Sequence, residues 1–359
     1  MSDFSELHDE LRSVAAEVLG ARIGTTVPGE LLAELGWTGM EVEDGLGGAG
    51  ASFRETAVLC EQLGRAVAGG SFLGSAVLGV GLLNMLRPGE LRDGLLTRIA
   101  EGTGTVAVTA GTEASDPGRI AFDGALLSGR VGLVLDAGAA DTLLVPVLGP
   151  DDRAAVAVLA GDTAGLTVTA RQVLDETRCL ADVSVDAVRV ADGALLSYRE
   201  GAEAASIGDR ALVAVACDSL GVAAAMLDAT VDYVSMRQQF GRSIGSFQAV
   251  KHACADMAVQ IAVSRQLVGA AVAAVADGDP SAHRAAIMAK AYAGEAAVAV
   301  AGKAMQLHGG IGYTWEADVH RYLKRATLNR ALFGTPAQLR RELTRVGGPA
   351  LHSPDPARL

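Results

Sequence analysis

Arg237, Gln248, Gln306, Gly309 and Gly310 are the residues whose types and spacing first suggest chemistry. They fall in two stretches, YVSMRQQFGRSIGSFQAVKHACADM at 233–257 and QLHGGIGYTWE at 306–316. In the first, a helical pattern breaks at Phe240-Gly241-Arg242 and a second helix starts at Ser246-Phe247-Gln248. Arg237 closes the first helix as a permanently charged planar donor suited to a diphosphate, and Gln248 can reach a purine edge or a phosphate. Gly309 and Gly310 lack a Cβ, so their N–H groups can approach a phosphate oxygen closely. Together they read as a dinucleotide site made by helix ends. The plainer alternative is two ordinary helix corners.

The elements that must position these residues are helical. Residues 207–237, 246–277, 280–308 and 316–331 read as Ala-rich helices, with a short one at 336–346, and four such helices form an antiparallel bundle. At the other end, 5–20, 29–36, 53–67, 71–86 and 88–101 also read as helices, the first with Leu7, Leu11, Val14, Val18 and Leu19 on one face. Between them, short β-branched runs such as TVAVT, VGLVLD, DTLLVPV and LTVTA are punctuated by Gly, Asp and Pro. The fold class expected is α+β, mainly α. It comprises an N-terminal helical domain at 1–104, a small middle β domain at 105–196, a C-terminal four-helix bundle at 205–346 and a tail at 347–359. Gly45 to Gly50, GLGGAG, matches G-x-G-x-x-G literally. A Rossmann turn needs a buried strand before it, and Met40 to Asp44 is too short and acidic for one.

Composition narrows the function classes. With 359 residues the chain can bury a large interior, and 50% hydrophobic with only 4% aromatic residues makes that interior aliphatic and closely packed. A net charge of -12 argues against a general nucleic-acid surface. Cys60, Cys179, Cys217 and Cys254 have no C-x-x-C spacing and read as reduced core thiols, which together with the acidic N-terminus leads us to expect a cytoplasmic protein. Arg265, Lys290 and Glu295 interrupt the long apolar runs, so no membrane span is expected. The six His residues show no H-E-x-x-H spacing, so no metal site is expected, and no G-x-S-x-G elbow points to a nucleophilic serine.

Arg-x-x-Phe-Gly-x-x-Ile-x-x-Phe-Gln at 237–248, followed by Gln-x-x-Gly-Gly-x-Gly-Tyr at 306–313, closely resembles the acyl-CoA dehydrogenase family of FAD enzymes. The resemblance is strongest over about 205–335. It implies the same three-part fold, FAD as cofactor and an acyl-CoA substrate, with electron-transfer flavoprotein as electron acceptor. Arg237, Phe240, Gln248, Gln306, Gly309 and Gly310 stand where the family holds the diphosphate side of FAD, across a subunit interface.

The reaction needs a carboxylate at the substrate Cα, a flavin N5 facing the Cβ hydride and a polarised thioester carbonyl. Aligned on Gly334-Thr335, the family's usual Glu falls on Phe333, and the alternative position on the preceding long helix falls on Ala211. Asp218 is the best remaining acid on that helix, against a plainer reading as a solvated or capping residue. Asp209 and Arg210 read as helix-start charges, and Glu316 as a structural ion-pair partner. The ring-side segment also departs: Thr109 to Asp116 matches only at its ends, and the family's Trp-Ile-Thr falls on Leu133-Val134-Leu135. The resemblance therefore implies a base-lacking chain that shares FAD with a paralogous, base-bearing subunit in a heterotetramer, as in some members that include ones acting on bulky steroid side-chain thioesters, with fatty acid or steroid side-chain degradation as the setting. The alternatives are a self-sufficient homotetramer with an atypical base, and a non-catalytic binding protein on this fold.

Overall fold

The computed structural model describes residues 4–111, 118–149, 153–314 and 317–347. The N-terminal part comprises α1 (Phe4–Gly20), α2 (Gly29–Glu34), α3 (Phe53–Arg65), α4 (Val80–Asn84) and α5 (Glu90–Ala100). A capping box starts α3: the Ser52 hydroxyl accepts from the Arg54 N–H, while Glu55 accepts from the Ser52 backbone N–H. His8 of α1 meets the same Glu55 at 2.7 Å, so one carboxylate caps α3 and anchors α1. The helix expected over 71–86 is split: Phe72–Gly79 is a π-helical run, and α4 continues from it. GLGGAG lies in a 3-10 turn and the loop after it, with no strand before it.

The middle region holds β1 (Val106–Val108), β2 (Gly118–Phe122), β3 (Leu126–Leu135), β4 (Thr142–Leu148), β5 (Ala154–Ala160), β6 (Leu166–Arg171), β7 (Leu180–Arg189) and β8 (Leu195–Ser197). They form two four-stranded sheets, ordered β1-β4-β5-β8 and β2-β3-β7-β6. β1 pairs β4 in parallel and every other pairing within these sheets is antiparallel. Inward residues of both sheets, such as Val131, Val134, Leu143, Val145, Ala157 and Val183, make a core of their own.

The C-terminal part runs α6 (Ser206–Met236), β9 (Gln238–Gln239), β10 (Arg242–Ser243), α7 (Gln248–Asp277), α8 (Ala282–His308), α9 (Val319–Ala331) and α10 (Pro336–Gly347). The three long helices and α9 form the expected bundle, and α6 joins it to the N-terminal helices through α3. At that crossing the backbones meet. A Cβ on Gly221 would lie 1.9 Å from the Glu61 carbonyl oxygen, and one on Gly64 would lie 2.1 Å from the Asp218 carbonyl oxygen. Backbone cannot yield as a side-chain tip does, so Gly221→Ala is expected to lower stability by about 1–3 kcal/mol in urea denaturation.

α6 and α7 are both long and apolar enough to cross a membrane, but they differ in cover. The most apolar window of α6 is 89% buried inside the protein, whereas that of α7 is only 28% buried. α7 turns Met257, Ile261, Ser264 and Val268 inward and leaves Ala255, Val259, Ala262 and Val263 outside.

Candidate functional site

Because α6 and α8 run in the same direction and α7 runs against them, the C-terminal end of α6, the start of α7 and the end of α8 meet at one end of the bundle. Tyr233 of α6 stacks on His308 of α8 with ring centroids 4.5 Å apart, which fixes that proximity. His308 is itself held by its Nδ1 on the Ala304 carbonyl at 2.8 Å. The break expected at Phe240 is a β-hairpin rather than a helix corner. β9 and β10 pair through Gln239 and Arg242, and the two loop residues, Phe240 and Gly241, have φ of 53° and 78°. Two positive φ values in a two-residue loop are what a twisted hairpin needs. The hairpin is closed by the Ile244 N–H on the Arg237 carbonyl at 2.8 Å. The Arg242 guanidinium lies 4.1 Å from the centre of the Phe247 ring.

Arg237, Gln248, Gln306, Gly309 and Gly310 are all exposed at this end, and Phe240 is 90% exposed. Gly309 has φ 61°, and nothing lies within 4 Å of where a Cβ would be on it or on Gly310. Donors, glycine backbone and an uncovered ring therefore face outward together. The diphosphate side fits FAD in donor type and in open space. Trp315 and Glu316 lie outside the described residues, as do Thr112 to Asp116 of the expected ring-side segment.

The positions expected for a base behave differently. Phe333 sits in the turn between α9 and α10 with φ 56°, half-buried against the main core. Ala211 is buried in α6. Asp218 is neither solvated nor a cap: it is 2% exposed at the centre of a buried ionic network. Its Oδ2 accepts from Arg178 Nη2 at 2.7 Å and from Arg325 Nη1 at 2.9 Å, and its Oδ1 accepts from Asn329 Nδ2 at 2.6 Å. Arg325 also donates Nε to Asp175 at 2.6 Å and Nη2 to the Ala68 carbonyl at 2.9 Å. Both carboxylate oxygens are occupied by donors from Arg178, Arg325 and Asn329 in the closed interior, so the geometry gives Asp218 the place of a structural anchor between α6, α9 and the β6–β7 turn.

One other expectation is extended and one corrected. Arg210 stands near the start of α6 as expected, but it is more than a helix-start charge: it is buried, pairs with Glu41, donates Nε to the Val77 carbonyl at 2.6 Å and stacks 4.3 Å over Phe53. The apolar surroundings demand that pairing, since an isolated buried charge is very costly. Of the four free thiols only Cys60 and Cys217 are core residues, and Cys179 is exposed.

A group missed in the sequence is Asp136, directly after Leu133-Val134-Leu135. Its Oδ2 accepts from the Gly74 N–H and its own N–H donates to the Cys179 carbonyl, both at 2.9 Å. Burial raises its pKa to about 6, against the pull of Arg178 and the Gly74 hydrogen bond. Only an acid standing just beyond an apolar strand end marked it in the sequence.

The comparisons with known proteins agree with this architecture. Residues 5–103 match the acyl-CoA dehydrogenase N-terminal domain family and residues 209–347 match its C-terminal domain. The chain belongs to the acyl-CoA dehydrogenase family, whose members are FAD flavoproteins. It is 32% identical to acyl-CoA dehydrogenase IpdE2 of Mycolicibacterium smegmatis over 87% of this chain and 85% of that protein. Among solved structures it is similar to the ChsE4-ChsE5 complex from Mycobacterium tuberculosis, with TM-score 0.85 and 26% identity over 96% of this chain and 98% of that one. It is equally similar in identity to the Tcur3481-Tcur3483 steroid ACAD, with TM-score 0.83 and the same coverage.

Proposed function

We propose that this chain is the base-lacking, FAD-sharing subunit of a hetero-oligomeric acyl-CoA dehydrogenase. The observation that carries the reading is the separation of the two half-sites. Asp218 lies level with Arg178, next to Cys179, whose carbonyl holds Asp136 at the end of the ring-side strand. Arg237 lies nineteen residues further along the same helix, about 28 Å away, and faces outward. A corner turned outward at that distance suits a flavin whose ring is held by another chain. The thinly covered, small-residue face of α7 supports a partner helix there, because Asp256 and Arg265 on that helix suit protein better than lipid.

In this reading Arg237, Gln248, Gln306 and the Gly309-Gly310 backbone hold the diphosphate, and Phe240 packs against the partner. FAD held there would supply the acceptor for the hydride leaving the acyl Cβ. The proton at Cα goes to the partner's carboxylate, since Phe333 and Ala211 have no group to take it. The complexes named among the structural relatives make a steroid-type or other bulky acyl-CoA the substrate class to test first, with electron-transfer flavoprotein as acceptor. A second reading, a self-sufficient homotetramer with an atypical base, is favoured by one observation, the desolvated Asp136 carboxyl beside the ring-side strand.

The visible spectrum, taken on the column peak that gives the mass, tests the proposal. The chain alone is expected to be colourless and inactive. Co-expressed with a base-bearing paralogue it is expected to give a flavin-loaded complex that loses FAD affinity about 10- to 100-fold on Arg237→Ala. A yellow, active homo-oligomer that Asp136→Asn inactivates would establish the second reading instead.

A further inference from the structure

The outward face of the β2-β3-β7-β6 sheet carries a charge pattern that the FAD corner does not explain. Arg119 lies directly opposite Arg130, and Thr169 opposite Asp182, with Arg171 two residues further on the same face. With Arg189 and Asp186 further along β7, four arginines and two aspartates share this surface in a chain whose net charge is -12. Like charges directly opposite each other destabilise a strand pair unless an anion sits with them.

Two of the arginines are fixed in place. Asp182 Oδ2 accepts from Arg130 Nη2 at 2.5 Å and forms an ion pair with Arg171 Nε at 3.0 Å, and Asp182 Oδ1 accepts from the Leu133 N–H at 3.2 Å. The Asp182 side chain is 10% exposed, while those of Arg130 and Arg171 are 64% and 52% exposed. One carboxylate offsets one guanidinium, leaving a positive charge over. Each guanidinium also has donors that Asp182 does not use.

Those donors border a groove of about 850 Å3, lined also by Gly132, Leu133 and Gln172. The groove is opened by a bulge: the β3–β7 register shifts between Val131 and Val134, and Leu133 inside it has φ 51°. A non-glycine residue in the left-handed region within a bulge is a strained feature of the sort that gathers at binding sites.

We propose that Arg130 and Arg171, held by Asp182 at the β3 bulge, form a phosphate-binding site separate from the Arg237 corner. Planar guanidinium pairs match phosphate oxygens two at a time, which a lysine cannot do. Resting on the family reading for its ligands, the site takes the phosphates of a coenzyme A thioester or those of FAD.

Arg130→Ser/Arg171→Ser tests it, with inorganic pyrophosphate, coenzyme A and FAD titrated calorimetrically into the chain or its flavin-free complex. Pyrophosphate and one of the two coenzymes are expected to bind at least 10-fold more weakly to the double variant. A loss confined to coenzyme A assigns the groove to the thioester, and a loss confined to FAD assigns it to the flavin nucleotide. If the serine pair fails to fold, Arg130→Lys/Arg171→Lys keeps the charge and is expected to weaken the same ligands about threefold to 10-fold by losing the paired geometry. Changes within twofold for all three ligands, in whichever pair folds, overturn the proposal. Failure of the subunit reading shows separately, as flavin on a homo-oligomer of the unsubstituted chain.

Discussion

Arg325→Met is expected to lower the stability of the protein by about 3–5 kcal/mol, because it leaves buried carboxylates without the cation that holds them. The Arg325 side chain is fully buried, as are those of Asp175 and Asp218 to within 3%. The guanidinium spends Nε on Asp175, Nη1 on Asp218 and Nη2 on both the Ala68 carbonyl and the Thr177 hydroxyl. Methionine fills much of the volume and satisfies none of these acceptors. Asp218 would keep Arg178 and Asn329, but Asp175 would keep only Thr177.

The network joins the end of α3, the β6–β7 turn, α6 and α9, so the loss should appear in one cooperative transition across helical and β signals. Urea denaturation followed by circular dichroism measures it. A loss under about 1 kcal/mol would mean that the ions are not paired as described. Asp218→Asn in the flavin-loaded complex completes the argument: it should destabilise the protein while leaving turnover per folded complex unchanged.

The bundle, the middle sheets and the outward corner were legible because each rests on local pattern: period-3.6 apolar runs, β-branched runs between turn residues, and motif residues within a dozen positions of each other. The ionic network was not legible for the same reason. Asp218 and Arg325 are 107 residues apart, and no periodicity pairs them. Asp218 did carry a signal, as the lone charge in LVAVACDSLGVAAAM, and a charge surrounded by apolar residues on one helix demands a buried partner. Arg210 carried the opposite signal. At the start of a helix it looks like an ordinary surface cation, and only the approach of Glu41 and Val77 from another part of the chain buries it. Phe240-Gly241 was visible as a break, but the hairpin depends on a phenylalanine adopting φ 53°, which residue type alone does not suggest.

Lys290 offers the second large effect, on the pH dependence of stability. It is fully buried in α8, with Nζ donating to the Gly334 carbonyl at 3.2 Å and to the Arg330 carbonyl at 3.4 Å, and so holds the turn that carries Phe333. Burial, and then the nearby Arg330, lower its pKa to about 7. In the unfolded chain the same amine ionises near its ordinary value of about 10.4. Above pH 7 the unfolded chain therefore binds a proton that the folded one lacks, and stability rises with pH by up to about 1.4 kcal/mol per unit. Above about 9 the buried Cys60 thiol, whose pKa is raised to about 12, acts in the opposite sense, so the clean window is pH 7 to 9. Lys290→Met removes the titration but also the two hydrogen bonds, so its absolute stability is ambiguous and its slope is not. Subtracting the variant's stability from that of the unsubstituted protein should give a difference that grows by about 2.3 kcal/mol across the window, with the slope starting at half its full value where the folded amine is half protonated. A difference flat to within about 0.5 kcal/mol would mean that the amine stays protonated in the fold. The Phe333 turn would then be held by an ammonium whose charge is met by more than two carbonyls.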